Sequence, residues 1–74
     1  MTTPTSLAVK LGQSLRVQRR AIGLSQDDFA DRIHMHRAYY SAIERGEKNI
    51  TLTTLQRVAQ GFGVSMSSLL KGID

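Results

Sequence analysis

The sequence predicts an all-α fold of five short helices, and three observations lead there. Apolar residues recur at helical spacing, as in Leu52, Leu55, Ala59 and Phe62 at i, i+3, i+7 and i+10, with Val58 beside them. Glycines and small hydroxylated residues punctuate the ends of those windows. Alternating strand patterns, internal repeats and interdomain linkers are all missing from the sequence.

The first helix is expected from residue 7 to 21 or 22, capped by Thr5 or Ser6 after Pro4, with Leu7, Leu11, Leu15 and Ile22 along one stripe. Residues 1–6 read as a frayed arm and 7–74 as one domain. Gly23 ends the helix in a left-handed position, and Leu24 starts the return to the core. Ser25 then caps a second helix over 26–33, with Asp28 at N3 and Phe29, Ala30 and Ile33 at i, i+1 and i+4. A third follows over 37–45, where Tyr40 and Ile43 repeat at i, i+3 and Gly46 is the stop. Only residues 34–36 separate these two helices. So short a link makes them cross steeply, which leaves one face of the third helix free to enter a DNA groove. Beyond the polar loop 46–50, Thr51 caps a fourth helix ended by Gly63. Ser65 caps a fifth over 66–70, closed by Gly72.

Composition narrows the function. Seventy-four residues make one small domain, which buries only about 60–65% of the surface its unfolded chain exposes. With no cysteine, neither disulfides nor a thiolate zinc site can reinforce it, and pairing with a second copy is the remaining source of buried surface. The same absence fits a reducing cytoplasm, where the protein is expected. No run approaches the length of a membrane span, and residues 1–6 lack the pattern of a signal peptide. Ten Lys and Arg against six Asp and Glu give a net charge of +4, which favours an acidic partner such as nucleic acid. The acids concentrate in Asp27, Asp28, Asp31, Glu44 and Glu47, while Arg37, Arg45 and Lys48 cluster around the third helix and its exit.

Catalysis fails on inventory. There is no cysteine nucleophile, no supported Ser–His–Asp order and no phosphate-cradling glycine loop. Asp27, Asp28 and Asp31 lie in the first turns of a helix, where carboxylates favour the dipole. His34 and His36 are two residues apart in a turn with no third ligand near them, so no metal or other cofactor is expected. Protonation of His36 close to a phosphate would make affinity depend on pH.

The helix pair with Ala30 and Ile43 at its packing positions, preceded by LGQSLRVQRRAIGLSQ and followed by IERGEKN and LTTLQRVAQGFGVSMSSLL, resembles the Cro/phage-repressor (Xre-type) helix-turn-helix family over residues 11–70. The resemblance implies a five-helix lambda-repressor-like DNA-binding domain. Gln26, at the amino end of the second helix, would contact a DNA phosphate and brace the recognition helix; an ordinary solvated helix start is the alternative. The exposed face of the third helix would carry His36, Arg37, Ala38, Tyr39, Ser41 and Ala42. Arg37 matches guanine O6 and N7 in the major groove, against the plainer role of pairing with phosphate or a nearby acid. Ala38 and Ala42 can offer only methyl groups, so indirect readout takes a larger share. Tyr40 is expected inward with its hydroxyl at the rim, and Tyr39 toward the DNA backbone. Arg45, Lys48 and Asn49 would contact phosphates, or else form a solvated loop. Glu44 would pair with Arg19 in a partly buried bridge that fixes the pose of the third helix.

Three positions depart from the family pattern. His34 stands where glycine is usual in the turn, His36 replaces the usual Ser or Thr cap of the third helix, and Gln18 replaces an apolar residue. The family pairs as two-fold dimers on near-palindromic operators. Here Val64, Met66 and Leu69 would supply the interface, with Leu70 turned inward. Arg37-Ala38-Tyr39-Tyr40-Ser41 and the run Glu47-Lys48-Asn49-Ile50-Thr51-Leu52, in a short chain without an effector domain, are most similar to controller proteins of restriction–modification systems. Those activate and repress promoters for the endonuclease and for their own gene. The expected partners are therefore operator DNA, a second copy of the chain and RNA polymerase, with no small-molecule effector and no membrane. A phage-type repressor, an antitoxin, or a protein-binding module that has lost DNA are the alternatives.

Overall fold

The structure, a computed structural model, describes residues 6–73. Five helices follow in order: α1 (Ser6–Ala21), α2 (Gln26–Arg32), α3 (Arg37–Glu44), α4 (Leu52–Phe62) and α5 (Met66–Leu70). No strand occurs among the described residues, and no described helix is long and apolar enough to cross a membrane. Ser6 is already helical, so neither the arm nor the cap extends to it; Thr5 and the rest of the arm lie outside the described residues. Helices α2 and α3 each stop one residue earlier than the sequence suggests, with Ile33 and Arg45 as their C-caps.

Side-chain caps open three of the helices. Ser25, Thr51 and Ser65 accept hydrogen bonds from the backbone N–H of Asp28, Thr54 and Ser68, at 3.0, 3.1 and 3.1 Å. His36 makes no such bond at the start of α3, which forfeits roughly 1 kcal/mol relative to Ser or Thr. The first four helices end alike. After each, one N–H reaches back five residues and the preceding N–H reaches back three: Leu24 to Arg19 with Gly23 to Arg20, Met35 to Ala30 with His34 to Asp31, Glu47 to Ala42 with Gly46 to Ile43, and Val64 to Ala59 with Gly63 to Gln60. This Schellman geometry needs a left-handed residue at its centre. Glycine supplies it three times, and His34 supplies it once at φ 55°.

That position tests the cost of a side chain. A non-glycine residue in the left-handed region loses roughly 1–2 kcal/mol, while glycine returns part of the gain as unfolded-chain entropy. His34→Gly should leave the domain as stable or raise its melting temperature by a few degrees, read by thermal denaturation. A lowered midpoint would mean that the imidazole contributes a contact worth more than the strain.

Every helix contributes to the core, and α4 contributes most, with Leu55, Val58, Ala59 and Phe62. Leu15, Phe29, Tyr40, Ile43, Val58 and Leu69 are the core's largest fully buried side chains. The Phe29 ring stacks on Phe62 at 4.0 Å between centroids and tilts against Tyr40 at 5.1 Å, so one side chain of α2 ties α3 to α4. Such pairs contribute about 0.5–1.5 kcal/mol each beyond their burial. Ala30 of α2 is wholly buried in the same core, where a longer side chain would push the packed helices apart.

Several apolar expectations fail for geometric reasons. Leu11 and Leu15 are buried, but Leu7 and Ile22 are exposed. The row that α1 buries is centred on Ala8 and Leu15, and Leu7 sits roughly 80° round the helix from Leu15. Ile22 lies past the last helical residue and no longer follows its spacing. Leu52 is 75% exposed because it is the first residue of α4, where nothing in the described chain covers it. In the short α5 the roles reverse: Leu69 is fully buried and Leu70 is exposed. The Leu69 carbonyl also accepts a 2.8 Å bond from the Ser14 hydroxyl of α1.

A close approach absent from the sequence reading sets the pose of α3. A Cβ on Gly12 would lie 2.3 Å from the Glu44 carbonyl oxygen and 2.8 Å from that of Ile43. Only hydrogen lets α1 touch the carbonyl end of α3. Placing Ala in a solvated helix gains about 1 kcal/mol over Gly. Gly12→Ala should instead lose about 2 kcal/mol, since backbone must move. A higher urea midpoint for this variant would refute the close packing.

Candidate nucleic-acid interface

Helix α3 contacts both α1 and α2, so its buried arc takes in Tyr40, Ala42, Ile43 and Glu44. What remains outward is His36, Arg37, Ala38 and Tyr39, all exposed, with Ser41 half-buried at the edge. Ala42 is 6% exposed and leaves the expected surface. The two-sided packing covers a wider arc than the spacing of Tyr40 and Ile43 suggests.

The pose of α3 rests on one buried carboxylate. The Glu44 side chain is fully buried. Arg19 donates to it twice, from Nε to Oε2 at 2.7 Å and from Nη2 to Oε1 at 3.1 Å. Gln26 donates from Nε2 to Oε1 at 2.9 Å, and the Tyr40 hydroxyl donates to Oε2 at 2.5 Å. Arg16 approaches Oε1 at 3.6 Å. Arg19 spends its Nη1 on the Leu24 carbonyl at 2.9 Å, which ties the α1–α2 turn into the same knot. Burial alone would push the Glu44 carboxyl up, but the donors from Arg19, Tyr40 and Gln26 outweigh it and hold the group below its ordinary value. Burial, helped by the hydrogen bond to Glu44, drives the Tyr40 phenol far above its usual range.

One expectation changes here: the Tyr40 hydroxyl is not at the rim but inside, spent on Glu44, because α3 turns that edge toward α1. The bracing role expected of Gln26 takes the form of a direct bond to Glu44, a contact between α2 and α3 within the chain.

The outward cations are already engaged. Arg37 donates from Nη1 to Asp27 Oδ2 at 3.0 Å, across the turn between α2 and α3, with both side chains largely exposed. Arg45 reaches Glu47 by Nε and Nη2 at 2.8 and 3.1 Å, and its Nη1 donates to the Ser41 hydroxyl at 2.7 Å. Lys48 Nζ stands 6.0 Å from the Tyr39 ring centre, so the exit loop leans on the outer face of α3. Asn49 is exposed on that loop.

Sequence reasoning missed Arg57. From α4 its guanidinium donates to the Ile33 carbonyl at 2.7 Å and to the His34 carbonyl. It thereby clamps the turn that sets the angle between α2 and α3. The carbonyls at a helix end attract cations, but nothing in the spacing of α4 marks Arg57 as the one that reaches them. Val64 and Met66 are half-buried against the core, Leu69 is inside it and so leaves the expected pairing surface, and Leu70, expected inward, is exposed.

Residues 15–69 match the family model described as helix-turn-helix. The chain is 33% identical over 69 residues to the control protein C.MunI of Mycoplasma sp, covering 92% of this chain and 93% of that one. Its fold superposes on the restriction-modification controller protein C.AhdI from Aeromonas hydrophila with a TM-score of 0.81 at 35% identity, over 84% of this chain and 94% of the other. It is similar also to C.Esp1396I, a restriction-modification controller solved as a tetramer in complex with its natural 35 base-pair operator. There the TM-score is 0.81 at 28% identity, over 90% of this chain and 88% of that one.

Proposed function

Because the chain belongs to the helix-turn-helix family, we propose that it is a transcriptional regulator that binds double-stranded DNA in a sequence-specific way as a homodimer. Its site would be a near-palindromic operator, and its operon a restriction–modification operon that includes its own gene. The observation that carries this reading is the division of α3: Tyr40, Ile43 and Glu44 are locked inward, and His36, Arg37, Ala38 and Tyr39 stand outward on a rigid scaffold. A helix so held presents a fixed pattern to the major groove, which admits one α-helix.

Arg37 is the base reader of this surface, with guanine as its partner. Ala38 provides a methyl group and close approach, and Tyr39, Ser41, Arg45, Lys48 and Asn49 address the sugar-phosphate backbone around it. Gln26 acts through Glu44 to hold α3, and the start of α2 faces a phosphate. Pairing of two copies through Val64, Met66 and Leu70 would set two α3 helices about 34 Å apart, one helical turn of DNA. RNA polymerase is the partner through which a bound dimer would activate, and no catalytic step is assigned to any residue.

Selection of bound fragments from random duplex DNA, followed by titration at several salt concentrations, tests the reading. The selected sites should be two-fold symmetric and should recur upstream of the protein's own gene. The logarithm of affinity should fall linearly with log[salt], at about 0.9 per neutralised phosphate. No enrichment of any sequence, or affinity indifferent to salt, would sink it in favour of a protein-binding module.

A further inference from the structure

The bridge between Arg37 and Asp27 has no evident structural purpose. Both partners are largely exposed, and the bond joins the first turn of α2 to the first turn of α3. Exposed pairs of this kind contribute little to stability, and the α2–α3 angle is already held by Glu44, Phe29 and Arg57. Yet the bridge puts a carboxylate beside the guanidinium best placed to read a base. A carboxylate facing a duplex repels phosphate, so Asp27 is a liability for affinity alone.

We propose that Asp27 is a positioning residue that sets the selectivity of Arg37, an inference that rests on the DNA-binding reading above. With Nη1 hydrogen-bonded to Asp27, Arg37 is partly neutralised and its side chain is biased toward one pose, while Nε and Nη2 still have hydrogens to donate. A roaming arginine attaches to any phosphate and strengthens binding to all sequences equally. A held one gains little from phosphate, but it meets guanine O6 and N7 without first losing rotamer freedom. Asp27 therefore suppresses binding to unrelated DNA more than binding to the operator. Asp31 lines the same shallow cleft as Asp27, His36 and Arg37, and it has no bond to the guanidinium.

The test compares wild type, Asp27→Asn, Arg37→Ala and the double variant on the selected operator and on an unrelated duplex of equal length. For Asp27→Asn, affinity for unrelated DNA should rise about threefold or more, and its salt slope should steepen by about 0.9, the increment of one added phosphate contact. Operator affinity should change less, so the ratio between the two sites falls. In the Arg37→Ala background the same substitution should leave that ratio unchanged. A ratio unaltered by Asp27→Asn, with both affinities shifted equally, would overturn the proposal and leave only net charge. A drop in the ratio that persists without Arg37 would overturn it too, since Asp27 would then touch a base itself. Failure of the wild type to prefer any site would refute the regulatory reading instead. Matching melting temperatures, expected because Asp27 is exposed, separate these effects from unfolding.

Discussion

Glu44→Ala should unfold the domain at temperatures where the wild type is folded, with a loss of about 3–5 kcal/mol. The carboxylate accepts from Arg19, Gln26 and Tyr40 and is fully buried. Removing it leaves a cation and a phenol in the interior without their acceptor, a cost well above what the intact pair contributes. Domains of this size have only about 5–15 kcal/mol in total. Chemical denaturation measures the loss directly, and a loss under about 1 kcal/mol would mean that water replaces the carboxylate. The pH dependence follows from the same group. Its folded pKa lies below the unfolded value of about 4.5, so the stabilisation is complete above that value and is lost as pH falls through the folded one. Wild type should therefore lose stability progressively below pH of about 4.5, and Glu44→Gln should show a flatter acid limb.

Arg37→Ala should weaken operator binding by about 1–3 kcal/mol for each half-site, the discrimination carried by one bidentate guanine contact. Two copies on a symmetric site would double the loss. The side chain is largely exposed and its one bond is to exposed Asp27, so the melting temperature should hold. The loss should be concentrated at one base-pair position in each half-site: replacing that pair costs the wild type affinity and costs the variant nothing further. Equal weakening on every sequence would reduce Arg37 to a phosphate contact, and the base reader would have to be sought elsewhere on the exposed turn of α3.

The fold was legible because its signals are local. Ser25, Thr51 and Ser65 fall where helices start, and Gly23, Gly46 and Gly63 fall where left-handed backbone ends them. The spacing of Phe29, Ala30, Ile43, Leu55 and Phe62 marked the inward faces, and the Arg19–Glu44 pair was foreseen from the family resemblance. What stayed hidden depends on neighbours remote in sequence. Periodicity gives the direction of a buried stripe but not its width, so the spacing places Ala42 on the surface, whereas α3 packs against both α1 and α2 and buries it. In α5, barely more than one turn long, Leu69 and Leu70 differ by a single step and spacing cannot rank them. Gly12 carries no turn, so nothing local set it apart from a helix-weakening residue until α3 was seen against it. The spacing leaves the partner of Arg37 open between base, phosphate and acid. Ten residues of separation give no means of choosing.

The knot around Glu44 and the outer turn of α3 share no hydrogen bond: Arg19, Gln26 and Tyr40 serve the first, while Arg37 answers only to Asp27. The lettering on this helix is thus detachable from its mounting. On the proposed DNA-binding reading, positions 36 to 39 would form a cassette open to rewriting for another target sequence while the hidden carboxylate keeps the frame true.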